Sequence, residues 1–112
     1  IEGRDGSILD QGRLRKEPSR SQRLEIARRD QGCRFGHCTH KDFVHVHHIV
    51  HWAKGGPTNQ TNLITLCPRH HNAVHELGWS MSGNPNETVT FTSPHGRTMT
   101  SVPSPTWRPM RK

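Results

Sequence analysis

Apolar residues are sparse in this chain and fall in short runs, so the pattern predicts short elements. Residues 19–31 are rich in helix-favouring residues, begin with a serine at a typical N-cap position, and are followed by Gly32, where a helix commonly ends. Leu24, Ala27 and Arg28 follow one another at i, i+3 and i+4. This spacing predicts a short amphipathic helix with one narrow apolar stripe.

Two β-rich runs, 43–46 and 62–66, lie on either side of a polar loop that contains Gly55-Gly56-Pro57. They predict two antiparallel strands joined by a long turn. Pro68 stands where a first helical residue is favoured, and the helical pattern continues to Gly78. The predicted order is therefore strand, loop, strand, helix.

The rest of the chain is more polar and divides at proline and glycine. We predict a basic arm or linker over 1–18, a core over 19–78, a terminal hairpin extension over 79–102 and a loose tail over 103–112. Within the extension, the hairpin strands are 89–92 and 97–100. Residues 1–4 match a common engineered protease-cleavage sequence, although they are equally compatible with a native start inside a longer parent protein.

Composition changes this picture in two ways. Leu, Ile, Val and Phe make up only 20 of the 112 residues, so apolar burial alone is too small to fold the chain well. The net charge of +7 favours a polyanionic partner, with nucleic acid first. No apolar run approaches the roughly 18 residues of a membrane span, and we therefore expect a cytoplasmic protein with no membrane association.

The cysteines and histidines indicate metal binding. Three cysteines cannot all pair in one chain, and ten histidines accompany them. Cys33-x4-Cys38 and Cys67-x2-His70 form two paired-ligand knuckles, which together offer the four soft ligands of a closed tetrahedral zinc site. Three unrelated buried cysteines are the alternative. His37 and His40 flank the first knuckle, so either one is a possible replacement for a ligand.

A second group combines helix and strand histidines. His71 and His75 stand at i and i+4, so both point from one helix face, while His70 is turned about 100° away. His47 and His48 directly follow the run 43–46 and, as successive residues of that strand, face opposite ways. One of them can bind a cation while the other remains free to accept a proton, a division of roles that suits a hydrolase.

In their order along the chain, these residues resemble the HNH endonuclease motif. The family name refers to His48, Asn62 and a closing histidine, here His71 or His75. The matching segments are CRF-x2-C from Cys33, HHI-x2-W from His47, GG-x-T from Gly55, NL-x2-LC from Asn62 and HH-x3-H from His70. The chain is most similar to the HNH domain at the C-terminal end of a bacterial repeat family, over about residues 9–98. Colicin-type DNases share the histidine and asparagine spacing without the cysteines.

The resemblance implies an α+β chain with a small ββα-metal fold, a structural zinc site, an N-terminal helix and a C-terminal hairpin. It implies metal-dependent hydrolysis of DNA to 5′-phosphate and 3′-hydroxyl ends. His48 would be the general base, Asn62 would hold the loop that aims it, and His47, His71 and His75 would bind the catalytic divalent ion. Many HNH domains have Asp where this chain has His47; an all-imidazole set suits Zn, Ni or Co better than Mg, with Mn also in range.

DNA is the expected partner, with phosphate contacts from Arg34, Lys54 and Arg69, and no small-molecule cofactor is expected. We expect the chain to be part of a larger bacterial or phage protein. The main alternative is a zinc-stabilised DNA-binding module without catalysis, which would have no use for an unligated His48. A metal-storage domain is disfavoured because the ligands occupy fixed positions on a strand-strand-helix frame.

Overall fold

The computed structural model describes residues 10–36, 38 and 40–108. Their α-helices and strands are, in chain order, α1 (Arg20–Asp30), β1 (His45–His48), β2 (Leu63–Leu66), α2 (Pro68–Glu76), β3 (Ser80–Gly83), β4 (Val89–Thr92) and β5 (Thr98–Ser101). Two short 3-10 helices, Trp52–Lys54 and Gln60–Asn62, lie between β1 and β2. This mixture of helices with short strands confirms the predicted α+β class. Within the described residues, no helix has the length and apolar character needed to cross a membrane.

The centre of the fold is a strand-strand-helix unit. β1 pairs antiparallel with β2, so that His47 lies opposite Ile64 and His48 lies opposite Leu63. α2 follows β2 directly, with Cys67 as its N-cap and proline in its first turn, as predicted. β1 begins two residues later than the predicted run 43–46, because Phe43 adopts a φ of 57° and leaves its side chain 83% exposed.

α1 forms where the sequence predicts it and is capped at its N-terminus by two reciprocal hydrogen bonds. The Ser19 hydroxyl accepts from the Gln22 backbone N–H, and the Gln22 side-chain oxygen accepts from the Ser19 backbone N–H. This capping box satisfies donors that would otherwise lack a partner in the helix. Gln31 ends the helix in the left-handed conformation.

The buried face of α1 differs from the predicted apolar stripe. Leu24 is 60% exposed, whereas Arg29 is completely buried. The Arg29 guanidinium donates to the backbone oxygens of Gln60 and Leu63, at 2.9 and 2.6 Å. The other buried residues of this helix are Gln22, Glu25, Ile26 and Asp30. The predicted stripe is wrong because this face carries polar side chains that satisfy the backbone of neighbouring segments.

The C-terminal extension is a three-stranded antiparallel sheet in the order β3-β4-β5. The predicted hairpin corresponds to β4 and β5, and β3 is an additional strand that the sequence did not reveal. Val89 and Phe91 of β4 are fully buried and belong to the same core cluster as Ile64 and Leu66 of β2. The extension therefore enlarges a core that the strand-strand-helix unit could not complete alone.

Both predicted loose ends pack against the fold within the described residues. Gln11 is buried and donates its backbone N–H to the Thr58 carbonyl at 2.9 Å. Trp107 is also buried, and its indole N–H donates to the Glu25 carboxylate at 2.9 Å. Residues 10–18 and 103–108 are therefore parts of the folded domain. Residues 1–9 of the predicted arm and 109–112 of the predicted tail lie outside the described residues.

Candidate metal centres and active site

Four predicted ligands meet where β2 enters α2. Cys33, Cys38, Cys67 and His70 offer ligand atoms that all lie within 4.8 Å of one another. The His70 Nδ1 atom is 3.4 Å from the sulfur atoms of both Cys33 and Cys67, and the Cys38 and Cys67 sulfur atoms are 4.0 Å apart. We call these four residues the cysteine cluster.

The spacing of the cysteine cluster fits a tetrahedral zinc ion. Zinc–sulfur bonds of about 2.3 Å and zinc–nitrogen bonds of about 2.0 Å place two sulfur ligands roughly 3.8 Å apart and sulfur and nitrogen roughly 3.5 Å apart. The observed separations are close to these values. His40 is exposed and is not part of the cluster, although its backbone oxygen accepts from the Cys33 N–H. His37, the other alternative ligand, lies outside the described residues.

The Cys33 and Cys67 thiols differ in how readily they lose their protons. Burial raises the pKa of the Cys33 thiol to about 12. Burial also acts to raise the pKa of Cys67, but hydrogen bonds from the backbone N–H groups of His70 and Arg69, among others, outweigh it and lower that pKa. Burial lowers the pKa of His70, which favours a neutral ring. A metal ion would deprotonate the remaining thiols and compensate their charge.

The second group of predicted ligands also meets, on the same strand-strand-helix unit. His47 of β1 and His71 and His75 of α2 place ligand nitrogens within 4.8 Å of one another, and we call these three residues the histidine cluster. The His47 Nε2 atom is buried and has no hydrogen-bond partner among the described residues. A buried polar atom without a partner is rare in folded proteins, and a bound cation would satisfy it.

Two rings of the histidine cluster are held in the neutral state that metal ligation requires. Burial, followed by the neighbouring His71 and His75 rings, lowers the pKa of His47 to about 3. Burial and His75 also lower the pKa of His71. All three rings line a cleft of about 310 Å³. This site is therefore open to a substrate, whereas the Cys33 and Cys67 ligands of the cysteine cluster lie in the core.

His48 has different neighbours from those of His47. It also lines the cleft, but its Nε2 atom lies 2.9 Å from the Thr58 hydroxyl, and its ring is not part of the histidine cluster. Burial lowers the pKa of His48, and the positive charge of Lys16 acts in the same direction. At neutral pH the ring is thus uncharged, which is the state that can accept a proton.

Asn62 joins the two ends of the loop between β1 and β2. Its side-chain oxygen accepts from the Val50 N–H at 2.9 Å, and its amide nitrogen donates to the Val50 and Pro57 carbonyls at 3.0 and 2.9 Å. Gly56 allows this close packing, because a Cβ atom there would lie 1.8 Å from the Val50 oxygen. The loop that leaves the strand of His48 is thereby fixed.

Comparison with known proteins identifies the domain that these residues form. A family model described as HNH endonuclease matches residues 33–77. This segment is an HNH endonuclease domain. It contains the two strands, the helix and every residue of both clusters.

Two curated relatives from Mycobacterium tuberculosis extend the similarity beyond the HNH domain. Uncharacterized protein Rv3776 is 33% identical over 107 residues, which cover 86% of this chain and 20% of that protein. Uncharacterized protein Rv2100 is 33% identical over 119 residues, covering 93% of this chain and 22% of that protein. The chain thus spans about a fifth of the length of these relatives. No solved structure matches it.

The basic residues predicted to contact nucleic acid differ in their accessibility on the HNH domain. Lys54, in the loop after β1, and Arg69, in the first turn of α2, are both exposed. Arg34 is 3% exposed, and its guanidinium donates to the Asp30 carboxylate and to the Ser101 hydroxyl. The prediction for Arg34 is wrong, because this side chain holds α1 against the C-terminal sheet and cannot reach a phosphate.

Two basic residues near the cleft, Arg13 and Lys16, were not predicted from the sequence. The Arg13 guanidinium stacks on the Trp52 ring at 3.8 Å and donates to the Trp52 carbonyl. Lys16 lines the cleft together with Trp52. The basic run 13–16 is visible in the sequence, but its position beside the HNH domain depends on the pairing of residues 10–12 with residues 58–60.

Proposed function

We propose that this chain is a metal-dependent DNA endonuclease that hydrolyses phosphodiester bonds to 5′-phosphate and 3′-hydroxyl ends. The observation that carries the proposal is the different environment of two adjacent histidines. His47 turns into the histidine cluster, where its buried nitrogen lacks a partner among the described residues, while His48 lies outside that cluster and remains a neutral ring in the same cleft. A hydrolase needs one group of each kind.

These positions support one role for each residue. His48 is the general base that takes a proton from water, and Asn62 fixes the loop so that this ring is correctly aimed. His47, His71 and His75 hold the catalytic divalent ion, for which three imidazoles favour Zn, Ni or Co over Mg or Mn. When bound, this ion supplies Lewis-acid stabilisation of the phosphate oxygens. The cysteine cluster holds a structural zinc ion that stabilises the fold.

DNA is the proposed substrate because its backbone is a polyanion that the cleft and its surroundings can attract. The chain has a net charge of +7, and Lys16 lines the cleft while Lys54 is exposed in the loop beside it. Arg69 is a further exposed cation at the start of α2. Such contacts position the phosphate backbone without reading bases, so we expect weak sequence preference from this domain alone.

The size of the relatives suggests a larger context for this activity. Because the chain spans about a fifth of each of them, we propose that it is the nuclease portion of a longer bacterial or phage protein. The choice of target would then depend on regions outside this chain.

Cleavage of supercoiled plasmid tests the proposal. The purified protein is incubated with plasmid and with Mg, Mn, Ni, Co or Zn added separately. We expect His48→Ala to lose about 10² to 10⁴ of the cleavage rate, the usual range for a general base, while zinc content and DNA binding stay as in the unmodified chain. His95→Ala is the matched control, because His95 is exposed in the turn between β4 and β5.

The reaction products provide a second readout. DNA ligase should reseal the nicks, since it requires the proposed 5′-phosphate and 3′-hydroxyl ends. If the protein binds plasmid but leaves it intact with every metal, the chain is instead a zinc-stabilised DNA-binding module. If His48→Ala cleaves as well as the unmodified chain, the assignment of the base is wrong.

A further inference from the structure

We propose that Thr58 is a positioning residue that holds His48 as the Nε2–H tautomer, and that the backbone of residue 16 sets the direction of the Thr58 hydroxyl. The role of His48 as the base rests on the proposed function, but its tautomer does not. Thr58, together with a segment that precedes the HNH match, thereby helps to position the proposed base.

The direction of two hydrogen bonds assigns the tautomer. The Thr58 hydroxyl oxygen lies 2.9 Å from His48 Nε2 and 3.1 Å from the Lys16 backbone oxygen. A carbonyl oxygen can only accept, so the single hydroxyl proton of Thr58 is donated to Lys16. His48 Nε2 must then carry the proton that Thr58 accepts. The other ring nitrogen, Nδ1, is left unprotonated and is the one able to act as a base.

Thr58 is held firmly enough to impose this arrangement. Its side chain is completely buried, and a β-branched residue has few rotamers available. Its backbone N–H donates to the Gly12 carbonyl at 2.7 Å, and its own carbonyl accepts from the Gln11 backbone at 2.9 Å and from the Gln22 side chain at 2.8 Å. The position of the hydroxyl oxygen is therefore fixed, and the Lys16 carbonyl lies within hydrogen-bond distance as an acceptor for its proton.

The Lys16 carbonyl is fixed in turn by the packing of the segment around it. The Gln11 side chain donates to the Glu17 carbonyl at 3.1 Å, and the Asp10 carboxylate accepts from the Gln60 N–H at 3.1 Å. These bonds tie residues 10–18 to the loop that contains Thr58. The segment lies before residue 33, where the family match begins, so part of the positioning of His48 comes from outside that match.

Substitution of Thr58 tests the effect on turnover. Thr58→Val removes the hydroxyl with little change in shape, and we expect the kcat of plasmid cleavage to fall about 10- to 100-fold at nearly unchanged KM. Thr58→Ser keeps a hydroxyl at this position and should therefore keep most of the activity of the unmodified chain. The matched control is Thr65→Val, which makes the same change at a buried residue of β2 and should cleave normally.

The tautomer is measured independently of cleavage by nitrogen-15 NMR of the histidine rings in the zinc-loaded protein. The spectra are recorded at alkaline pH, where imidazoles are neutral, and the His48 signals are identified by their loss in His48→Ala. We expect Nε2–H in the unmodified chain and in Thr58→Ser, and a mixture with Nδ1–H in Thr58→Val.

Either measurement can overturn the proposal. An Nδ1–H tautomer in the unmodified chain would contradict it, as would a Thr58→Val variant that cleaves at the normal rate. If Thr58→Val does not fold, the tautomer of the unmodified chain and the activity of Thr58→Ser decide the matter. If the unmodified chain does not cleave DNA, the proposed function fails, while the NMR result still supports or refutes the role of Thr58.

Discussion

The cysteine cluster and the histidine cluster use the same strand-strand-helix unit but differ in ligand number, ligand type and access. The cysteine cluster has four potential ligands, of which Cys33 and Cys67 are only 5% and 4% exposed, and it packs among core residues. The histidine cluster has three imidazoles and lines a cleft of about 310 Å³. Closed four-ligand zinc sites are structural, while three-ligand sites leave a position for water or substrate.

The two clusters show how one short helix can contribute ligands to two separate groups. His70 and His71 are adjacent in α2, yet one lies in each cluster, because successive helical residues are turned by about 100°. The strand separates His47 from His48 in a similar way, by alternation. A small domain can therefore keep a buried ligand cluster and a cluster in an open cleft close together without sharing ligands.

Removal of a ligand from the cysteine cluster should have the largest effect. In Cys67→Ser we expect an unfolded or insoluble chain, because structural zinc in small domains contributes about 10–16 kcal/mol, comparable with the whole stability of a domain. Far-UV circular dichroism and zinc content after dialysis measure this, and a strong chelator should unfold the unmodified chain in the same way.

The control for Cys67→Ser is Asn72→Ala, an exposed position on the same helix. Asn72→Ala should keep both its zinc and its fold. A Cys67→Ser protein that is folded without zinc would show that the cysteine cluster is not a structural zinc site. The distinction between a structural and an open cluster would then fail.

The adjacent helical histidines sharpen the distinction between the two clusters. His71→Ala should keep the fold and the structural zinc but bind the second ion more weakly. Loss of a residue that only hydrogen-bonds to a metal ligand lowers metal affinity by roughly 10–100-fold, and loss of a ligand itself should lower it by more. His70→Ala should instead weaken the hold on zinc and destabilise the fold. Titration with Ni or Co, together with elemental analysis, separates these results. The opposite pattern would exchange the assignments of His70 and His71.

Acid should destabilise the fold through the histidine cluster. The pKa of His47 is about 3 in the folded protein, against about 6.5 for an unperturbed histidine. Between these values the unfolded chain binds an extra proton, so the free energy of unfolding decreases as the pH falls from about 6.5 toward 3. The lowered pKa of His71 acts in the same direction. Urea unfolding across this range measures the effect.

His47→Asn is the reference protein for the pH experiment, because it removes the imidazole whose pKa burial lowers to about 3 while keeping a polar side chain. Its stability should depend less on pH over the same range. Equal slopes for the two proteins would show that other groups cause the acid sensitivity.

The smallest expected effects concern exposed cations near the two clusters. Lys54→Ala and Arg69→Ala should each weaken DNA binding modestly and lower the slope of log affinity against log salt by about one. Arg97→Ala, an exposed change in the turn between β4 and β5, is the control and should leave the slope unchanged. If Arg69→Ala resembles the control, the DNA contacts lie on the side of the histidine-cluster cleft alone.

The ligand sets and the order of the central elements could be predicted from the chain alone. Cys67 and His70 fall within one turn, His71 and His75 stand at i and i+4, and a proline marks the helix start. Each of these relations is short in sequence, so local geometry determines it without knowledge of the rest of the fold. The strand-strand-helix unit and the ligand pairs followed from such relations, whereas the choice of His47 as the third ligand beside His71 and His75 came from the resemblance to HNH endonucleases.

The identity of the buried polar groups, in contrast, depends on how distant segments pack together. The Thr58 hydroxyl donates to the carbonyl of Lys16, 42 residues away in the sequence, and the Arg34 guanidinium donates to the hydroxyl of Ser101, 67 residues away. The same holds for the polar buried face of α1 and for the packing of Trp107, which no periodicity indicated. A buried polar side chain lies where distant backbone groups need a partner, and the position of those groups is set only when the elements pack together.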